Sequence, residues 1–242
     1  MLKFSRPAAS RANLPQNRFA ERSVARSANI YYFDQKNYKE ALNYYSKLEQ
    51  IATLDENKRE CLIGLMRTNF KLNNHTSTLL YTDKVNELSN LPEFYKREIT
   101  YYKGITYFKQ QDYDKALPQL QAIATTLDNE QSAEAQYDIV KIYFEKKNYK
   151  LAEIEAMKYT ENFPAYEYYL GKTYILLSDI YKVNGKVLQA KATLQSLIDN
   201  YSFDDDVMKE AKEKLQIIIE QETQNSNLKL PDNNLQILQF DK

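Results

Sequence analysis

Apolar residues recur along the chain at helical spacing and are interrupted by short polar turns. The turns are Lys36-Asn37, Gln111-Asp112, Lys147-Asn148 and Asn184-Gly185, residue types that end one helix and cap the next. Around them one pattern repeats: a polar residue, Tyr, two residues and Ala. Its clear copies are Asn37-Tyr38-Lys39-Glu40-Ala41, Asp112-Tyr113-Asp114-Lys115-Ala116 and Asn148-Tyr149-Lys150-Leu151-Ala152. Weaker copies lie at Asn74-His75-Thr76-Ser77-Thr78 and Lys186-Val187-Leu188-Gln189-Ala190. The Ala-equivalent positions 41, 78, 116, 152 and 190 are spaced by 37, 38, 36 and 38 residues, so the pattern predicts five antiparallel helix pairs. Past Tyr201, the positions of Val207, Met208, Ala211, Leu215, Ile218 and Ile219 predict one further helix over 204–222.

Within each copy the first helix also carries recurrent residues. The third shows Thr100, Lys103, Gly104 and Tyr107 ahead of Ala116 and Leu120; the fourth shows Gln136, Ile139, Val140 and Tyr143 ahead of Ala152, Ala156 and Pro164. The fifth supplies Tyr174, Leu177, Ser178, Tyr181, Ala190 and Leu194. In the first, Ala25, Ala28, Asn29 and Tyr32 precede Ala41 and Tyr45. The second departs most, with Leu62, Leu65, Met66, Asn69, Thr78 and Thr82, and is expected to pack least well. This series resembles the tetratricopeptide repeat, a helix-turn-helix unit of about 34 residues. The resemblance implies an all-α solenoid, a right-handed superhelix of about five repeats plus a capping helix. Small residues at Gly104, Ala116, Ala152 and Ala190 are expected to let paired helices approach closely, and Pro118 to bend the helix that contains it.

The expected organisation is a basic N-terminal segment over 1–16, repeats over 17–203, the capping helix over 204–222, and a flexible tail over 223–242. That tail ends in the apolar Leu235, Ile237, Leu238 and Phe240, expected to dock transiently on an apolar surface. Thirty-three basic and 33 acidic residues leave no net charge, which argues against nucleic acid as the main ligand. No apolar run reaches the length of a membrane helix, so a soluble chain is expected. The long repeat spacing also resembles bacterial cell-envelope tetratricopeptide proteins, a location expected if the sequence is part of a longer secreted chain.

One Cys, one His and four Gly leave little material for a metal site, a disulfide or a phosphate-cradling loop, and neither catalytic residues nor a cofactor is expected. Cys61 and His75 are read as packing residues, and the triplet Asp204, Asp205 and Asp206 as complementing a helix dipole rather than holding a cation. The family resemblance instead implies a groove lined by the first helix of each repeat. Its register puts Arg67, Phe70, Tyr101, Ile105 and Phe108 on the second and third repeats, and Tyr137, Lys141 and Phe144 on the fourth. Aromatic residues interleaved with cations suit a protein-binding surface, with Arg67 and Lys141 facing a ligand's acidic group and Glu98 and Glu134 on the rim. The expected function is a non-catalytic scaffold or adaptor that binds a protein or peptide segment. The alternative is a structural section of a longer solenoid with no ligand of its own.

Overall fold

The computed structural model describes residues 14–228. All its regular elements are helical: α1 (Leu14–Asn29), a π-helical turn (Ile30–Asp34), α2 (Tyr38–Ile51), α3 (Asp55–Lys71), α4 (His75–Asn86), α5 (Glu93–Lys109), α6 (Tyr113–Ala124), α7 (Glu130–Glu145), α8 (Tyr149–Asn162), α9 (Glu167–Val183), α10 (Val187–Asn200) and α11 (Asp206–Leu228). Consecutive helices pack as pairs. They divide into two compact units, one ending at Leu127 with α1–α6 and one beginning at Asp128 with α7–α11. The apolar tail at 235–240 and most of the basic segment 1–16 lie outside the described residues.

The turn inside each pair is built the same way five times. Lys36, Asn73, Gln111, Lys147 and Gly185 all have positive φ, between 52° and 74°, each five residues before its Ala-equivalent position. In the last four turns the next residue's N–H donates back into the first helix: Asn74 to Asn69, Asp112 to Tyr107, Asn148 to Tyr143 and Lys186 to Tyr181, at 2.8–2.9 Å. This 6→1 bond with a left-handed residue ahead of it closes an α-helix and satisfies a carbonyl that would otherwise be orphaned. In the first repeat the same bond runs from Asn37 to Tyr31, one residue longer, because α1 ends in the π turn. Asn37 and Asn148 then cap the second helix by accepting from the N–H of Glu40 and Leu151.

Beyond these turns, the small positions bring the paired helices together. Ala41, Ala116, Ala152 and Ala190 are completely buried, and a Cβ at Gly104 would sit 3.0 Å from Leu120. Helix α6 runs unbroken through Pro118. The second repeat follows the same plan with polar residues in the core. Thr78 and Thr82 are buried and turn their hydroxyls onto the carbonyls of Asn74 and Leu79. Asn69 donates to the Leu65 carbonyl and accepts from Asn74. Self-directed hydrogen bonds let these side chains stand where other repeats hold Ala, Tyr or Leu. Thr68 differs from them: its hydroxyl is buried without a partner.

Helix α11 covers the second unit by burying Val207, Met208, Ala211, Leu215 and Ile218, while Ile219 faces solvent. Asp205 accepts from the N–H groups of Val207 and Met208, so the middle residue of the acidic triplet caps α11.

Candidate functional site

In the first unit, the first helices of three repeats supply a cleft of ≈ 320 Å³. Asn29 and Phe33 line it from the end of α1 and the π turn, Tyr95 from α5, and Arg59, Glu60 and Arg67 from α3. The floor is Gly64 over Tyr45, and here the sequence dictates the geometry closely. A Cβ at Gly64 would overlap the Tyr45 ring, so only glycine lets α3 settle on it. Tyr45 is 2 % exposed, and burial raises the pKa of its phenol. Its hydroxyl donates to Asn29 Oδ1 at 2.7 Å, and Asn29 Nδ2 donates to Glu60 at 2.6 Å. A buried phenol thus fixes an amide, which fixes a carboxylate at the cleft wall.

Arg67 closes the other wall. Its Nε and Nη2 fork onto the two oxygens of Glu98 at 2.6 and 2.7 Å, and Tyr102 donates to Glu98 at 2.8 Å. The guanidinium also lies 5.5 Å from the centre of the Tyr95 ring. A bidentate, partly buried pair of this kind is geometrically specific. Two residues expected at the ligand surface thus meet each other, the Arg67 fork being filled by Glu98.

The other expected residues divide by packing. Tyr101 and Ile105 are buried at 8 % and 2 % exposure. Phe70 stacks on Tyr102 at 4.0 Å between ring centres. Phe108 meets Tyr113 at 6.2 Å and Phe144 meets Tyr149 at 5.5 Å, so in two repeats the phenylalanine packs onto the helix that follows its own. In the second unit Tyr137 is half-buried, 5.9 Å from Tyr169, and Lys141 is half-buried on α7. Tyr169 is hydrogen-bonded to Glu134. Phe33, in the same repeat position as the other three phenylalanines, is 55 % exposed and lines the cleft. Asn29, Arg59, Glu60 and Tyr95 were not singled out as cleft residues by the sequence pattern. Their one shared signal is a place on the same helix layer as Arg67.

Cys61 is 1 % exposed, donates to the Tyr45 carbonyl, and has its pKa pushed up to about 12 by burial. A thiol so held is a packing residue, because the nucleophilic form is the thiolate. Among the described residues no group of three His, Cys, Asp or Glu is placed to hold a metal ion, and no helix is long and apolar enough to cross a membrane.

Residues 165–203 match the tetratricopeptide repeat family. Among solved structures the chain is similar to YrrB, described as a TPR protein with an unusual peptide-binding site. The two are 17 % identical over 84 % of this chain and all of that one, with a TM-score of 0.57. It is also similar to a tetratricopeptide repeat protein from Parabacteroides merdae, at 15 % identity over 85 % of this chain and 86 % of that one, with a TM-score of 0.46. No curated protein matches the sequence. The first likeness establishes the fold, an all-α solenoid of helix-turn-helix repeats.

Proposed function

We propose that this tetratricopeptide-repeat chain is a non-catalytic adaptor that binds a polypeptide segment on the first helices of the repeats in its first unit, α1, α3 and α5. The observation that carries the reading is the cleft in the first unit. An exposed Phe33 and the Tyr95 ring offer apolar anchors, and Arg59 and Glu56 offer charges of both signs. Aromatic anchors beside charged groups are the composition of binding hot spots. The pre-set network of Tyr45, Asn29 and Glu60 keeps the wall in place, so little ordering entropy opposes association. The structurally similar YrrB is described by its peptide-binding site, which supports a polypeptide as the ligand class.

Within this reading Arg67 and Phe70 shape the surface. Tyr101 and Ile105 support it from beneath, and Phe108 extends it; Tyr137, Lys141 and Phe144 are the corresponding residues of the second unit. The test is capture from the chain's own cell extract, with the intact chain beside a Phe33→Ala, Tyr95→Ala variant. Loss of one captured protein, with the variant still folded, supports the adaptor.

A specific observation also favours the structural alternative. Phe19 on α1 is 73 % exposed and Ile30 in the π turn is 37 % exposed, so this end of the first repeat presents apolar surface of the kind that neighbouring repeats cover in a solenoid. If capture recovers no protein while the chain is folded, that reading takes precedence.

A further inference from the structure

The second unit holds a separate cleft of ≈ 370 Å³, within the range of small-ligand sites. Five aromatic rings line it: Tyr166, Tyr168 and Tyr169 at the start of α9, and Tyr201 and Phe203 from the segment leading into α11. They are fixed from behind. Tyr168 and Tyr169 meet edge to face at 5.3 Å, as do Tyr201 and Phe203 at 5.5 Å. The Tyr201 hydroxyl donates to Asp205 at 2.6 Å, and Tyr166 is hydrogen-bonded to Asp128. Below lies a small core of Ala133, Tyr159 and Phe163. Even so, Tyr168 and Phe203 are 40 % and 52 % exposed, so the cleft keeps aromatic surface in contact with solvent.

The charge at this place has one sign. Glu130, Glu167 and Asp205 line the cleft, and no basic residue does. The N-termini of α7, α9 and α11 converge on it through those same residues. Each N-terminus contributes roughly half a positive charge, against a full negative charge on each carboxylate, so the cleft stays negative. Lys172 stands outside the lining, ion-paired with Asp206 at 3.6 Å. It also lies 4.6 Å from the centre of the Tyr168 ring, so this ring already carries a cation–π contact within the chain.

We propose that this cleft binds an arginine side chain of a partner polypeptide. A guanidinium stacks on aromatic faces and pairs bidentately with carboxylates, and the cleft supplies both kinds of group. The site lies wholly within the second unit and does not depend on the cleft formed by α1, α3 and α5.

The test is NMR titration of the intact chain with three probes: an acetylated Gly-Gly-Arg-Gly-Gly amide, the same peptide with citrulline for arginine, and tetramethylammonium chloride. The arginine peptide should shift the signals of Tyr168 and Phe203 and bind about fivefold or more tightly than the citrulline peptide, which has the same shape without the charge. Phe203→Ala and Glu167→Gln, both at exposed positions, should each weaken it severalfold with the helical signal unchanged. Equal binding of the two peptides would make the cleft merely apolar and overturn the proposal, as would no shift at these residues. Tetramethylammonium binding more tightly than the arginine peptide would assign the cleft to a free small cation and overturn the polypeptide source.

Discussion

Replacing Thr68 with Val should stabilise the chain, whereas the same change at Thr82 should not. Both threonines are completely buried, in α3 and α4 of the same pair. The Thr82 hydroxyl donates to the Leu79 carbonyl at 2.7 Å; the Thr68 hydroxyl has no partner. Val keeps the branched shape and exchanges the hydroxyl for a methyl, so each change carries two opposing or reinforcing contributions. At 68 the substitution removes an unsatisfied buried hydroxyl, which costs about 1–3 kcal/mol, and forfeits no hydrogen bond. At 82 it loses a bond of about 0.5–1.5 kcal/mol, largely offset by about 0.8 kcal/mol for the added apolar group. The apolar gain is common to both, so the expected separation between the two variants is about 1.5–4.5 kcal/mol. For a chain of this size each 1 kcal/mol moves the melting temperature by about 2–4 °C, which thermal circular dichroism resolves. A Thr68→Val variant that melts below the parent, or two variants that shift together, would refute the claim that the second repeat carries an unpaid buried hydroxyl.

The shared turn makes a paired prediction: Gln111→Gly should stabilise the first unit by about 0.5–1 kcal/mol, and Gly185→Ala should destabilise the second by about 1 kcal/mol. A Cβ at Gly185 meets nothing within 4 Å, so denaturant midpoints for this pair isolate the cost of positive φ. Gly64→Ala should destabilise by about 1–3 kcal/mol by forcing α3 off the buried Tyr45 ring, again read from denaturant midpoints. The buried Glu21 carboxylate accepts from the hydroxyl and N–H of Thr53 and from Asn57, bonds that hold its pKa below the usual value. Its folded-state pKa is depressed, so its contribution is present above the unfolded pKa, near 4.3, and lost as pH falls through the folded value. Melting temperatures across pH 2–6 should show this fall in the parent and a flatter profile in Glu21→Gln.

The repeat was legible because close helix packing demands small residues at fixed places, and Ala41, Ala116, Ala152 and Ala190 are completely buried as that demand requires. The second repeat was the hardest to read. Its core includes Asn69, Thr78 and Thr82, whose polar groups are satisfied within the same repeat, and no apolar pattern announces such an arrangement. Four of the five left-handed turn residues are Lys, Asn or Gln, so the turn does not declare itself by glycine. The candidate site was legible only as a layer. Helical register places Arg67 and Glu98 on that layer, but it does not reveal that they pair, because the contact joins neighbouring helices 31 residues apart. Nor does register separate Phe33, left open by the π turn at the end of α1, from Phe108 and Phe144, which fold onto the next helix. The aromatic cleft of the second unit escaped because its walls come from α9 and from the loop ahead of α11, separated by about one repeat.

The central claim is that the cleft between α1, α3 and α5 is where this protein holds a polypeptide. It is tested most directly by the affinity of the captured partner for the intact chain and for the Phe33→Ala, Tyr95→Ala variant, measured by calorimetry at one salt concentration. The account predicts a loss of about 2 kcal/mol or more, roughly thirtyfold, with the melting temperature within a few degrees of the parent. An unchanged affinity in a folded variant would contradict it.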